Sequence, residues 1–465
     1  QHRRHSVSTQ RQLGVTVLPE WVQAEGVEAV LDRLEAAGVN GIATSPYVME
    51  LVADGVGSRE PPADAEAGGV RLLDRPLWGR RALWVRTAPS FHPDAKKYEH
   101  LVYKPPSADK LTDREGAVVG QFLDAAQARG MTTHLQVQAA IPPGYRVQFG
   151  GPQPADQPLG PEGEPVPGRV DANASLASED ILAYGEALLG DLSAQYPTVD
   201  AIRIDWPEIP PYAFGALFFD FSTHALERAQ ELGLDTDRMR RDTLDLKKSI
   251  AAMDTPSVTH FNANKARELL SERQGVLDLL ALRRALVGAL LKHYQSALPE
   301  GIALFPQAFP PPFNRLSGFD FGMAGQIVPE IGVKLYTMHW PMILRDWGEA
   351  ITAMAPQLDR AAVARALVDL AGTGDPSPSD LTDLRYPEPH EPHPASDAAM
   401  AHKIRTARSE ANGASITAFA HAYGPLSDVV RRVRVAWEAS QGRVWINRYG
   451  YLSDEKIAAL AEVTR

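Results

Sequence analysis

The chain of 465 residues contains no cysteine. This absence excludes disulfide bonds, cysteine nucleophiles and cysteine-bound metals together. The sequence also lacks a run of about 18 apolar residues, the length that a membrane-spanning helix needs, so we expect a soluble protein. Neither absence distinguishes a cytoplasmic from an exported protein.

The sequence also has fewer basic than acidic residues. The formal net charge is -11, and no long basic run occurs. We therefore expect neither nucleic acid nor a membrane as a partner, while the oligomeric state stays open. The N-terminal tail, 1–12, begins with Gln-His-Arg-Arg-His-Ser and lacks the apolar core of a secretory signal, so it could be the remnant of a longer precursor.

Eight short apolar or alternating segments predict β-strands. Between them, apolar residues spaced by three and four positions predict helices. Eight strands that alternate with helices are what a (β/α)8 TIM barrel requires, and we predict this α/β fold over residues 13–465. The predicted strands are 13–18, 41–45, 132–139, 199–205, 301–307, 331–340, 415–423 and 443–447.

Two stretches interrupt this alternation. Residues 50–115 contain two short strand patterns, 70–73 and 82–86, which predict an inserted hairpin after the second strand. Residues 222–298 are helical throughout and too long for one barrel helix, so they predict an inserted helical subdomain after the fourth strand. Barrel enzymes carry such insertions on the face that binds ligand.

The most informative segment is 199–212, Val-Asp-Ala-Ile-Arg-Ile-Asp-Trp-Pro-Glu-Ile-Pro-Pro-Tyr. Isoleucines alternate with Arg203 and Asp205, as in a pleated strand. The prolines that follow cannot extend a strand, so it must end near Asp205. Parallel barrels bind ligands at the carboxyl ends of their strands. Asp205, Trp206 and Glu208 are therefore the first candidates for a site.

Polar and aromatic side chains are predicted to gather at the same end of the barrel. Flat rings can cover the apolar faces of a sugar, and two carboxyl groups can act as acid and as nucleophile or base. We therefore predict a glycoside hydrolase or a related glycan-processing enzyme that needs no cofactor or metal. Asp205 would be its nucleophile or base and Glu208 its general acid, with the two roles exchangeable. The predicted residues for binding the carbohydrate are Trp206, Gln138, Tyr47, Tyr145, Gln307, His339, Trp340, His421, Tyr423 and Glu20.

The segment that ends at Glu208 resembles the fourth strand of TIM-barrel glycoside hydrolases. Its Ile-Arg-Ile-Asp portion is similar to the alpha-amylase superfamily, which implies that Asp205 is the nucleophile. Its Asp-x-x-x-x-Asp-Trp portion resembles chitinase-type barrels, where the acid glutamate directly follows the tryptophan; here Pro207 intervenes. The arrangement from Asn173-x-Ser175 to Asp205 is similar to uncharacterised glycosidase-like barrel families, where an Asn-Pro segment precedes the helix.

Two departures from these families bear on the mechanism. The predicted seventh strand carries no glutamate, which counts against the large clan whose nucleophile lies there. The fifth strand carries Gln307 where the alpha-amylases carry an acid. The other candidates for the second carboxylate are Glu20, Asp320 and Glu330.

Other interpretations of the same residues remain open. Asp205, Glu208, His339 and His421 could be the ligands of a metal-dependent isomerase, lyase or hydrolase. The missing acid of the seventh strand also suits a barrel that binds carbohydrate without cleaving it. Asp205 could pair with Arg203, and Glu208 could be a surface charge of a loop. The fold alone does not choose between these functions.

Overall fold

A closed barrel of eight parallel strands forms the centre of the molecule. The computed structural model describes residues 10–63, 71–165 and 172–465. In chain order the strands are β1 (Gln12–Thr16), β2 (Gly41–Thr44), β3 (Tyr47–Leu51), β4 (Ser58–Glu60), β5 (Leu83–Pro89), β6 (Thr132–Gln138), β7 (Ala201–Asp205), β8 (Ala303–Ala308), β9 (Glu330–Leu335), β10 (Ser415–His421) and β11 (Arg443–Asn447). The strands β3, β5 and β4 form a separate antiparallel sheet, and the other eight close the barrel. The predicted TIM barrel is therefore confirmed.

Helices connect the barrel strands and cover their outer face. They are α1 (Pro19–Glu25), α2 (Val27–Ala36), α3 (Ala95–Tyr98), α4 (Lys110–Glu115), α5 (Ala117–Ala128), α6 (Glu179–Gln195), α7 (Thr223–Glu231), α8 (Thr236–Ala251), α9 (Thr255–Thr259), α10 (Ala263–Ser271), α11 (Gln274–Ala297), α12 (Phe313–Ser317), α13 (Phe321–Ala324), α14 (His339–Met354), α15 (Arg360–Ala371), α16 (Asp397–Glu410), α17 (Leu426–Ala439) and α18 (Asp454–Val463). Helices α7 to α11 all lie between β7 and β8, in the segment 222–298. The division of the chain into a barrel and an inserted subdomain stays a prediction. In the part of the chain that the structure describes, no helix is both long and apolar enough to cross a membrane.

The sixth barrel strand is shorter than predicted. Strand β9 ends at Leu335, and His339 begins α14. A turn separates the two elements, because the backbone N–H of His339 donates to the Tyr336 carbonyl at 2.9 Å. The apolar and aromatic run over 331–340 hides this turn, since a buried strand and the first turn of a buried helix share that composition.

The insertion after the second barrel strand also differs from the predicted hairpin. Of its two predicted strands, 82–86 overlaps β5, residue 70 lies outside the described residues, and 71–73 form no strand. Strands β3 and β4 are the partners of β5. In place of a strand, Leu73 exchanges two hydrogen bonds with Arg81: its N–H donates to the Arg81 carbonyl at 3.1 Å, and its carbonyl accepts from Arg81 Nε at 2.7 Å.

An arginine surrounded by aromatic rings fills the barrel below its mouth. Arg203 is fully buried, with its guanidinium 4.4 Å from the ring centre of Trp445 and 4.9 Å from that of Phe419. It donates to the Thr16 hydroxyl at 3.0 Å and lies 3.2 Å from Nδ1 of His134. Burial lowers the pKa of Arg203 to about 9, which leaves it charged at neutral pH. The interior of the barrel is therefore a packed core, and the place for a ligand within the barrel itself is its mouth.

Candidate active site

Asp205 closes β7 at the carboxyl end of the barrel. Its Oδ1 accepts a hydrogen bond from the backbone N–H of Trp206 at 2.9 Å and lies 2.8 Å from the Lys334 ammonium on β9. The Asp205 side chain keeps 15% of its surface exposed, whereas Lys334 keeps 2%. Asp205 is thus a carboxylate paired with a buried ammonium group, and this partner is Lys334 rather than Arg203.

The residue after Asp205 has a strained backbone. Trp206 has a φ of 50°, in the left-handed region that bulky residues rarely adopt. Asn173 supports this turn, since its Nδ2 donates to the carbonyl of Trp206 at 2.9 Å and to that of Glu208 at 2.8 Å. The buried Trp206 ring lies 5.9 Å from that of Tyr212. Backbone strain of this kind is concentrated at functional sites.

Glu208 is fully buried, which differs from the surface charge that a glutamate in a loop would usually be. Its Oε1 accepts a hydrogen bond from the backbone N–H of Phe309 at 2.7 Å. Its Oε2 makes no hydrogen bond with any described residue. Burial raises the pKa of Glu208 to about 8, against the lowering effect of Lys334. Glu208 is therefore a protonated acid at neutral pH.

This protonation gives a test that needs no substrate. Below the ordinary pKa of 4.5, Glu208 is protonated in both states; between 4.5 and about 8, only the unfolded chain loses the proton. Unfolding therefore releases a proton in this window, and we expect the free energy of unfolding to fall by about 1.4 kcal/mol per pH unit from this residue as pH rises. Glu208→Gln should remove that contribution in urea unfolding from pH 5 to 9. Glu227→Gln, at an exposed position, should keep the pH dependence of the wild type. If Glu208→Gln keeps it as well, the raised pKa of Glu208 is contradicted.

Aromatic rings and imidazoles surround the mouth beside Asp205. The ring of Tyr336 lies 5.3 Å from that of His421 and 6.1 Å from that of His339. His339 Nδ1 is 3.1 Å from the Tyr212 hydroxyl. Burial, and then the charge of Asp205, raise the pKa of Tyr336, so its hydroxyl remains a donor.

His421 is a neutral donor at the end of β10. Burial holds its pKa well below the usual 6.5. Its Nδ1 accepts a hydrogen bond from the backbone N–H of Tyr423 at 3.0 Å. In a neutral imidazole whose Nδ1 accepts, the proton is on Nε2. His421 can thus donate a hydrogen bond, but it does not replace the acid that is missing from the seventh strand.

Three of the predicted sugar-binding aromatic residues are buried against other parts of the protein. Trp340 lies on α14, 5.1 Å from the Lys403 ammonium. The Tyr423 hydroxyl donates to the Pro387 carbonyl at 2.7 Å. Tyr145 packs edge-on against Phe91 at 6.2 Å. A role for these three residues in sugar binding stays a prediction.

Two predicted glutamines lie beside Asp205. Gln138 on β6 and Gln307 on β8 are the residues that pair with Asp205 in the register of the barrel. Gln307 Nε2 donates to Gln136 Oε1 at 3.1 Å. The Oε1 of Gln138 is buried and accepts no hydrogen bond from the described residues. Both amides therefore lie at the level of Asp205, on the two strands that flank it.

Glu20 and Tyr47 belong to a buried ion network at the first and second barrel strands. Arg146 lies between two fully buried carboxylates, 3.2 Å from Glu20 and 2.8 Å from Glu60. Arg448 also contacts Glu60, and the Tyr47 hydroxyl donates to Glu20 at 3.2 Å. This network links β4 of the inserted sheet to the loops after β6 and β11.

The remaining carboxylates named as alternatives lie elsewhere. Glu330 is the first residue of β9, at the opposite end of the barrel, where it pairs with Arg443 at 2.6 Å. Asp320 caps α13 by accepting from the Met323 N–H at 2.8 Å. Among the described residues, no three His, Asp or Glu side chains form a group that could hold a metal ion.

Sequence reasoning missed Lys334 and Tyr336. Both face the mouth from the end of β9, where Lys334 alternates with Gly332 and Tyr336. That alternation was a usable signal, because a lysine within an apolar strand is costly to bury unless it has a partner. Because the strand was predicted to end at Trp340, His339 and Trp340 were predicted at the mouth in place of Lys334 and Tyr336.

The fold and the position of these side chains define a (β/α)8 barrel whose candidate active site lies at the carboxyl ends of its strands. No protein-family model matches the sequence, and the comparison with curated proteins found no match. Several solved structures are similar in fold. A beta-galactosidase from the psychrophilic Marinomonas ef1 is 13% identical with a TM-score of 0.49; the match covers 94% of this chain and 54% of that enzyme, so this chain spans about half its length.

Two further solved structures extend this comparison. A class V chitinase from Pseudomonas fluorescens Pf-5 is 10% identical with a TM-score of 0.43, and the match covers 98% of this chain and 100% of that one. The spore cortex-lytic enzyme SleL of Bacillus cereus is 8% identical with a TM-score of 0.40, and the match covers 98% of this chain and 75% of that one. At these identities the likeness concerns the fold alone.

Proposed function

We propose that this protein is a glycoside hydrolase or a related glycan-processing enzyme, with Asp205 and Glu208 as its pair of carboxyl groups. The observation that carries the proposal is their difference in charge at the end of one barrel strand. Asp205 is paired with an ammonium group, whereas burial raises the pKa of Glu208 to about 8. A glycosidase needs one ionised and one protonated carboxyl group at the same time.

In this mechanism Asp205 attacks the anomeric carbon or activates a water, and Glu208 protonates the departing oxygen. Lys334 orients Asp205 through its 2.8 Å contact. The negative charge of Asp205 contributes to the raised pKa of Glu208. If Asp205 becomes esterified in a covalent intermediate, that contribution is lost and the pKa of Glu208 falls. This is the direction that a retaining enzyme needs when its acid becomes a base.

The burial of Glu208 sets a requirement on this mechanism. Its carboxyl group is closed off from solvent, so the segment that carries it, 206–212, must shift when a substrate binds. The left-handed backbone of Trp206 is the point at which such a shift would release strain.

A second candidate function is a barrel that binds carbohydrate without cleaving it. The complete burial of Glu208 favours this candidate, as does His421 at the position of the missing seventh-strand acid. The rings and donors around Asp205 would then serve recognition alone.

One experiment separates the two candidates. The protein is incubated with a panel of polysaccharides and oligosaccharides, products are analysed by mass spectrometry, and binding of each glycan is measured by calorimetry. An enzyme releases products from at least one glycan, and Asp205→Asn binds that glycan without releasing them. Binding of a glycan with no product by the wild type would favour the non-catalytic barrel. Neither binding nor products from any glycan would contradict both candidates.

A further inference from the structure

We propose that the helices between β7 and β8 contain a binding site for a small, neutral, apolar molecule that carries one hydrogen-bonding group. The site is a half-open cavity of about 210 Å³ between α8, α10, α11, α14 and α15, and none of the residues proposed for the active site lines it. Protein interiors contain few voids larger than a water molecule. An apolar cavity of roughly 150 Å³ is already large enough to bind benzene.

The lining of this cavity defines the chemistry of its ligand. It is formed by aliphatic and aromatic side chains such as Phe218, Leu246, Leu270 and Leu367, and no charged side chain of the described residues lines it. A charged ligand would lose its hydration without gaining a counterion there. The ligand must therefore be neutral and mainly apolar.

Thr243 supplies the single polar contact. It lies within α8, is fully buried and lines the cavity. Its hydroxyl makes no hydrogen bond with any described residue, although a helical threonine can bond to the carbonyl four residues earlier. The other polar group of the lining, the indole N–H of Trp347, already donates to the Pro211 carbonyl at 2.9 Å. A buried hydroxyl without a partner is costly, and one polar group of a ligand would remove that cost.

Helix α10 forms one wall of the cavity and provides the route of entry. It contributes no fully buried residue, and its half-buried Ala266, Leu269 and Leu270 line the cavity. Segments with few buried apolar contacts open at low free-energy cost. A ligand can therefore enter by displacement of α10 without disturbing the barrel.

The probes for this site are 1-hexanol, toluene and hexanoate, with binding measured by titration calorimetry on the full chain. We expect hexanol and toluene to bind and hexanoate not to bind. Thr243→Val keeps the shape of the side chain and removes its hydroxyl. The substitution should lower the affinity for hexanol by about 3- to 10-fold, which corresponds to the loss of one hydrogen bond. The affinity for toluene should not change.

A second test fills the cavity with a larger side chain. Ala266→Trp should abolish binding of both hexanol and toluene. Arg267→Trp places the same side chain at the neighbouring exposed position of α10 and should change neither. The proposal is overturned if the wild type binds neither probe, or if Ala266→Trp binds both as the wild type does. If hexanoate binds as tightly as hexanol, the conclusion that the ligand is neutral is overturned. If Thr243→Val lowers the affinity for toluene as much as that for hexanol, the role of the Thr243 hydroxyl is overturned.

Discussion

Asp205→Asn is expected to lower kcat/KM on a cleaved glycan by about 1000-fold or more, because it removes the charge that, in the proposed mechanism, attacks the sugar or activates water. The amide oxygen can still accept from the Trp206 N–H and from Lys334, which are 2.9 and 2.8 Å from Oδ1 of the aspartate. The geometry at the mouth is therefore retained while the chemistry is lost. The measurement is initial rates of product release at neutral pH, at a temperature where both proteins are folded by circular dichroism.

Asp200→Asn is the matched control for this loss. Asp200 precedes the same strand at the opposite end of the barrel, where its Oδ2 accepts from the Thr133 N–H at 2.8 Å. The substitution removes one negative charge from the same segment, yet turnover should stay close to that of the wild type. Near-normal turnover in Asp205→Asn would rule out its assignment as nucleophile or base.

Arg146→Met is expected to lower the free energy of unfolding by about 3–5 kcal/mol, because it removes the arginine that pairs with the buried Glu20 and one of the two arginines that pair with the buried Glu60. Glu20 and Glu60 are both fully buried, at 3.2 and 2.8 Å from the guanidinium. Glu60 keeps Arg448, whereas Glu20 keeps only the Tyr47 hydroxyl among the described residues. Urea unfolding at pH 7 measures the effect.

Arg129→Met makes the same substitution in an exposed ion cluster. Arg129 contacts Glu28, Asp32 and Glu35 within 2.9 Å, but these carboxylates are 54–71% exposed. Exposed ion pairs contribute about 0–1 kcal/mol each, so this variant should lose far less stability. If the two variants lose similar amounts of unfolding free energy, burial of the carboxylates does not determine the destabilisation.

The barrel could be predicted because each strand carries a local signal. In β7, outward isoleucines alternate with inward polar residues, and the prolines after it mark its end near Asp205. The predicted bounds of the eighth strand, 443–447, coincide with β11. The inserted sheet and the end of β9 escaped prediction, since a short antiparallel partner and a turn within an apolar run leave little trace in local composition.

The candidate site could be predicted only in part. Asp205 lies where the sequence indicated, at a strand end that faces the mouth. Its partner Lys334 is 129 positions away in the chain, and the backbone N–H that Glu208 binds is 101 positions away. Such contacts depend on barrel closure, and no spacing along the chain reveals them.

The sequence by itself determined the class of fold, the end of β7 and the position of an acid there, because periodicity and proline act over a few residues. Only the tertiary structure decided the charge states. It enclosed Glu208 and raised its pKa, and it placed the Lys334 ammonium against Asp205. The physical reason is that the charge of a carboxyl group depends on its distance from water and from other charges, which the folded chain alone establishes.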